Sequence, residues 1–288
     1  MEGLVVKGIA GFYYVKVQGE IYQCKARGVF KNRGQKLAVG DVVEIQINEG
    51  SDALITHIRD RKNWFIRPPI ANVDCFVVVF AAASPKPNYA VIDRFLVMAE
   101  KSHTEVIICV NKKDLATSQE LDAIEKIYGG VYPLVFTSGK QGIGIEELKA
   151  KLAGRKCAFS GPSGVGKSTL INALQPDIEA ETGDISQKTQ RGKHTTRHVE
   201  IFETDFGAMI FDTPGFTSFE ILQAEEGELD QLYPDIARYT GNCRYDNCRH
   251  IKEPECGVRQ AVSQGLISKS RYDSYVSQIE EIREKKKW

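Results

Sequence analysis

Residues Gly161-Pro-Ser-Gly-Val-Gly-Lys-Ser168 keep the G-x-x-x-x-G-K-[ST] spacing, and no other stretch narrows the fold as much. Such a loop works only where it leaves an apolar strand and opens a helix. Here Cys157–Ser160 precedes it and the helical stretch Lys167–Leu174 follows. The glycines let backbone N–H groups converge on a phosphate, Lys167 adds a point charge, and the Ser168 hydroxyl suits Mg²⁺. The surrounding sequence agrees with an α/β sheet of mainly parallel strands. Strand-like Val73–Phe80, Val106–Val110 and Leu134–Phe136 each precede a helical stretch: Tyr89–Ser102, Ser118–Tyr128 and Ile145–Leu152. Val199–Glu203 and Ala208–Phe211 close the region.

Four further motifs resemble those of GTPases. Asn111-Lys112-Lys113-Asp114 ends a strand; the Asp114 carboxylate can accept both N1–H and N2–H of guanine, donors that adenine lacks. Thr137-Ser138-Gly139-Lys140 resembles the loop whose N–H groups meet guanine O6. Asp212-Thr-Pro-Gly215 resembles the γ-phosphate sensor, with Asp212 on Mg²⁺ through water and the Gly215 N–H on the phosphate. Gln190–Arg197 resembles the first switch, where Thr196, or Thr195, completes the Mg²⁺ shell. The GTP contacts therefore fall on Asn111, Lys112, Lys113, Asp114, Thr137, Ser138, Gly139, Gly161, Pro162, Ser163, Gly164, Val165, Gly166, Lys167, Ser168, Thr169, Asp212 and Gly215. Both base motifs precede the phosphate loop, so the motif order is circularly permuted. Phe216 follows Gly215 and cannot polarise water. His194 in the first switch is the candidate that orients it, with an RNA-contacting or exposed histidine as the alternative. Lys167 is the second catalytic candidate.

The flanks differ in texture. Residues 1–67 read as five short strands, Leu4–Ile9, Phe12–Val17, Ile21–Ala26, Val42–Ile47 and Ala53–Ile58. They suggest an OB-fold RNA-binding barrel, or an SH3-like barrel that only packs on its neighbour. The linker Arg67-Pro68-Pro69 ends this segment. Residues 68–218 form the permuted GTPase domain, and residues 219–288 a helical, polar module around Cys243-x4-Cys248-x-His250-x5-Cys256. Three thiolates and one imidazole match a closed, structural Zn²⁺ site, one ion per chain, stapling a module too polar for a large core. Cys24, Cys75, Cys109 and Cys157 stand singly in apolar strands and read as core residues.

The chain carries 38 Lys+Arg against 38 Asp+Glu. No global field draws it to nucleic acid, so an RNA site must be local. Residues 1–67 hold 11 basic against 7 acidic residues by count. The Lys285–Trp288 end reads as a solvated tail. No signal peptide or membrane span is visible, and a cytoplasmic monomer is expected. The whole combination resembles the bacterial ribosome small subunit-dependent GTPase A family. The resemblance implies GTP hydrolysis stimulated by the small ribosomal subunit, a role in its late maturation through rRNA binding, His194 as the switch histidine, and Cys243, Cys248, His250 and Cys256 as zinc ligands.

Overall fold

The computed structural model describes residues 1–27, 30, 36–47, 53–66, 68–175, 199–212 and 224–285. It divides into two compact units. One comprises Met1–Phe76, Glu146–Phe159 and Ile171–Phe216; the other comprises Val77–Ile145, Ser160–Leu170 and Thr217–Trp288.

The first unit begins with β1 (Glu2–Ile9), β2 (Phe12–Val17), β3 (Glu20–Ala26), β4 (Val42–Gln46) and β5 (Ala53–Ile58). Two-residue turns join the first three strands. Ala10-Gly11 and Gln18-Gly19 have positive φ at both positions, the turn whose twist matches a hairpin. Alternate residues then face inward: Val15 and Val17, Val43 and Ile45, Ala53 and Ile55 are buried around Val5, Cys24, Phe30 and Leu37. The strands close in the order β1-β2-β3-β5-β4-β1, with β3 parallel to β5 and the other pairings antiparallel. That closure is the OB-like five-stranded barrel and sets the SH3-like alternative aside.

Two features of this unit depart from the sequence reading. The barrel continues into the sheet: β1 pairs antiparallel with β12 (Glu200–Glu203), which pairs with β13 (Met209–Asp212), itself parallel to β11 (Lys156–Ser160). Ion pairs Lys7–Glu200 and Lys16–Glu203 lie along this seam. The expected linker Arg67-Pro68-Pro69 runs into paired strands, where β6 (Trp64–Ile66) and β7 (Pro69–Ala71) form a hairpin. Phe65 turns inward and meets Phe76 edge-on, with ring centroids 5.0 Å apart.

In the second unit the strand order is β8-β9-β10, from β8 (Cys75–Ala81), which begins in the first unit, through β9 (Glu105–Asn111) to β10 (Leu134–Phe136). β9 and β10 run parallel. Every residue of β8 is buried, the signature of a strand covered on both faces. Helix α1 (Tyr89–Lys101) starts on an Asn88 cap, and α2 (Ser118–Tyr128) on a Thr117/Glu120 capping box. Helices α3 (Ile145–Leu152) and α4 (Lys167–Leu174) each cross from one unit to the other.

After residue 224 come α5 (Pro234–Thr240), α6 (Gly257–Ser263) and α7 (Lys269–Lys285). The expectation that this module lacks a substantial core is corrected. Leu229, Tyr233, Ile236, Val258, Ile267, Tyr275 and Ile279 are buried together, and Val97 of α1 completes the cluster. The apolar residues are sparse in sequence but converge because α7 packs along α1. Cys24, Cys75, Cys109 and Cys157 are free and buried, as expected.

Candidate functional site

The phosphate loop leaves β11 at Ser160 and enters α4 at Lys167. Its path depends on glycine. Gly161 has φ 137°, and a Cβ there would lie 2.0 Å from the Val79 carbonyl oxygen. Gly166 has φ 90°, and a Cβ there would meet the Asn111 amide at 2.6 Å. Both positions combine a backbone conformation costly to other residues with no room for a side chain. Lys167 Nζ donates to the carbonyls of Gly161 at 2.8 Å and Pro162 at 2.7 Å. Burial lowers its pKa to about 8. Val165 is buried, while Ser163, Gly164 and Thr169 are exposed and Ser168 is half-buried in the first turn of α4.

Asn111 ends β9 and is buried. Its Oδ1 accepts from the Gly139 N–H at 3.0 Å and the Thr137 hydroxyl at 3.2 Å, while its Nδ2 donates to the Val165 carbonyl at 2.9 Å. One side chain thus ties three of the sequence motifs together. The neighbouring backbone reinforces the tie: Lys113 N–H donates to Thr137 O at 2.9 Å, and Thr137 N–H to Val110 O at 2.8 Å. Ser138 exchanges backbone hydrogen bonds with Ile143, closing the second base loop. Lys112 takes a left-handed conformation, φ 60°, and its Nζ donates to Ser84 O at 2.8 Å and Gly164 O at 2.7 Å. Its aliphatic stem therefore bridges the base motif to the phosphate loop, a role the tetrapeptide alone did not reveal. Asp114 stands exposed on the 3-10 turn Lys113–Leu115, free to meet a ligand's donors.

In the first unit, Asp212 ends β13, which runs parallel to β11 with Ala158 opposite Phe211. His194, Thr195, Thr196, Gly215 and Phe216 lie outside the described residues, as do the last three residues of the basic end.

The second cluster is built at two tight knuckles. Cys243, Cys248, His250 and Cys256 bring one ligand atom each within 4.8 Å of one another, and the four could hold a metal ion. Cys243 Sγ lies 3.8 Å from Cys256 Sγ, and each lies 3.4 Å from His250 Nδ1. Ligands about 2.3 Å from a tetrahedral ion stand about 3.8 Å apart, so the donors fit a four-coordinate, closed shell. His250 and Glu255 take left-handed backbone conformations that fold the second knuckle. Gly257 is required beside it, because a Cβ would come 2.5 Å from Asn242 Cβ. The Cys256 sulfur caps α6 by accepting from the Arg259 N–H at 3.5 Å. Burial pushes the Cys243 thiol up, but hydrogen bonds from the Val258 and Gly257 N–H groups outweigh it, and its pKa falls below the ordinary value. His250 Nε2 faces Asp230 Oδ2 at 3.5 Å, so the carboxylate fixes the ring with Nδ1 toward the thiols. Asp230 was not foreseen; a carboxylate 20 residues before the histidine carries no sequence signal.

A family model described as the RsgA GTPase matches residues 58–222, and one described as the RsgA N-terminal domain matches residues 2–55. A curated relative in Agathobacter rectalis, named small ribosomal subunit biogenesis GTPase RsgA, is 45% identical, with 100% of each chain covered. One in a Geobacillus species, with the same name, is 44% identical over 99% of this chain and 98% of the relative. The crystal structure of YjeQ from Thermotoga maritima matches with a TM-score of 0.85 at 37% identity, covering 98% of each chain. That of YloQ, a circularly permuted GTPase, matches at 0.82 and 36% identity, covering 99% and 95%. With the motif order read from the sequence, the barrel closed in front of it and full-length relatives on both counts, this chain belongs to the RsgA GTPase family.

Proposed function

We propose that this GTPase acts in late maturation of the small ribosomal subunit, binding rRNA and hydrolysing GTP to GDP and phosphate at a rate the subunit stimulates. Its relatives' printed name, small ribosomal subunit biogenesis GTPase, supports the role at 42–45% identity over nearly the whole chain. The observation that carries the nucleotide assignment is Asn111, whose hydrogen bonds join the two base loops to the phosphate loop. Guanine then belongs on Asp114, with Thr137–Gly139 at its O6. The triphosphate belongs on the N–H groups of 161–169 and on Lys167, with Asp212 and Gly215 at its γ end. Mg²⁺, held by Ser168 and Thr196, would neutralise charge on the phosphates. His194 would orient the attacking water.

The metal of the cysteine cluster is Zn²⁺ in this reading, one per chain. Three thiolates select it and four protein ligands leave no open position, so its contribution is structural. The working boundaries are 1–67 for the barrel, 68–218 for the permuted GTPase domain and 219–288 for the zinc module. A monomer in the cytoplasm fits a factor that meets nascent subunits, and no helix among the described residues is long and apolar enough to cross a membrane. The deciding measurement is GTP turnover by the full chain alone, with small subunits and with large subunits. Turnover should rise with small subunits only; an equal rate in all three conditions would overturn the reading.

A further inference from the structure

Among exposed apolar side chains of the described residues, Trp64 is the largest, with 41% of its surface open. It sits on β6 beside Ile66, 59% open, while Phe65 between them is buried. The hairpin thus presents one apolar edge, Trp64 and Ile66, next to exposed Pro69 opposite Ile66. Burial of Phe65 accounts for the strand's fold, and it leaves Trp64 with no packing role of comparable size.

What lies against Trp64 is a fixed cation. The Arg61 guanidinium stands 5.0 Å from the indole centroid. It is held by Asp41 through Nε at 2.7 Å and Nη2 at 2.8 Å, and Nη2 also donates to Lys36 O at 2.6 Å. Asp41 is itself fully buried and accepts from the Ala38 N–H at 2.8 Å. The arginine is therefore ordered before any ligand arrives, so little side-chain entropy is lost on binding. The stretch 59–67 carries four cations, Arg59, Arg61, Lys62 and Arg67, against Asp60 alone. Glu2 and Glu44 pair with Arg59, Asp41 with Arg61 and Asp74 with Lys62, yet the Lys62 side chain remains 53% open.

We propose that Trp64, backed by Arg61, is a stacking platform for an unpaired nucleobase of RNA. An aromatic face over a pinned guanidinium, with the half-open Lys62 nearby in sequence, is a combination that holds single strands without reading their sequence. Arg61 against the indole and Lys62 two residues before it favour an anionic strand over a protein partner. The proposal rests on the rRNA-binding reading above and narrows it to one residue and one form of RNA.

The chain has two tryptophans, so Trp288→Phe leaves Trp64 as the sole reporter. In that background, a single-stranded RNA octamer should quench the fluorescence, and a duplex of the same sequence should quench it far less. Trp64→Ala should weaken small-subunit binding about 5- to 150-fold, the range for losing one stacked base, and Trp64→Phe should retain most of it. Unchanged GTP affinity in both variants shows that the fold is intact. Absence of quenching, or equal subunit affinity in Trp64→Ala and parent, would overturn the platform. Loss of subunit affinity without quenching by any RNA strand would place Trp64 against a ribosomal protein, and overturns it too. If the parent neither binds small subunits nor responds to them, the broader functional reading fails, while quenching by the single strand would still support the platform.

Discussion

Lys167 shows how much a single side chain of the phosphate loop carries. Its half-buried ammonium lies against two carbonyls, and this burial holds its pKa at about 8, below the ordinary lysine value. A lysine shifted in this direction is charged below pH 8 and neutral in a growing fraction above it. A bound triphosphate needs the charged form, so nucleotide affinity should be full below this pH and fall above it. Between about pH 7 and about pH 9 the charged fraction drops about tenfold, and the dissociation constant for GTP should rise by a similar factor. Lys167→Arg, which keeps its charge throughout, should flatten the profile, leaving only the titration of the base itself. Titration calorimetry across that window checks the slope; a profile equally steep in both proteins would detach it from Lys167. The lysine was legible from spacing alone, because its loop must be glycine-rich and must join a strand to a helix. Its carbonyl partners were not, since every residue offers a carbonyl and the sequence does not say which ones fold inward.

At the scale of elements, the helices are joined by a buried charged side chain as well as by their apolar core. Arg271 of α7 is fully buried. It donates to Asp93 of α1 at 2.7 Å and to Asp235 of α5 at 2.8 and 3.2 Å. The rings of Tyr128, Tyr132 and Tyr233 lie 4.5 to 5.7 Å from its guanidinium, and Tyr128 also donates to Asp93 at 3.0 Å. Breaking such a network strands its carboxylates, so Arg271→Met should cost about 3–5 kcal/mol in stability. Burial already raises the Asp93 pKa, against the pull of Arg271, and losing the cation raises it further. A carboxyl shifted upward is tolerated while protonated and becomes costly as pH rises through its folded pKa. The deficit should therefore be smaller at about pH 5 than at about pH 8, read from urea melts of variant and parent. A deficit independent of pH would show that lost packing, not a stranded carboxylate, sets the cost. None of this was visible beforehand. Arginine and aspartate in polar helices read as solvated faces, and only the crossing of α1, α5 and α7 turns them inward. The same limit hid the pairing of β1 with β12, because residues 7 and 200 are far apart in sequence and meet only through the tertiary register. The strands of the barrel were readable because alternation and Gly-containing turns are local signals.

For the whole molecule, the order of the motifs sets which segment follows the proposed γ-phosphate sensor in sequence. The segment 213–223 runs from Asp212, the last residue of β13, to Ala224, which is buried in the core of the helical module. In this chain order the proposed γ-phosphate sensor is followed directly in sequence by the module that carries the cysteine cluster. We propose that His194 orients the attacking water, since Phe216 follows Gly215 where a polar water-positioning side chain would stand. These residues lie outside the described ones, and the expectation rests on the sequence and the family. A water-orienting imidazole acts in the transition state and touches the bound substrate little, so it should raise turnover without tightening GTP. Positioned proton transfer is worth about 10² to 10⁴ in rate. His194→Ala should therefore lose most of the subunit-stimulated rate, within that range, while GTP affinity and subunit binding stay near those of the parent. Single-turnover hydrolysis at saturating small subunits separates the two effects. If stimulation survives in a variant that still binds the subunit, the group that positions water is supplied by the ribosome or by another residue, and the permuted switch serves as a docking signal with its chemistry borrowed from the partner.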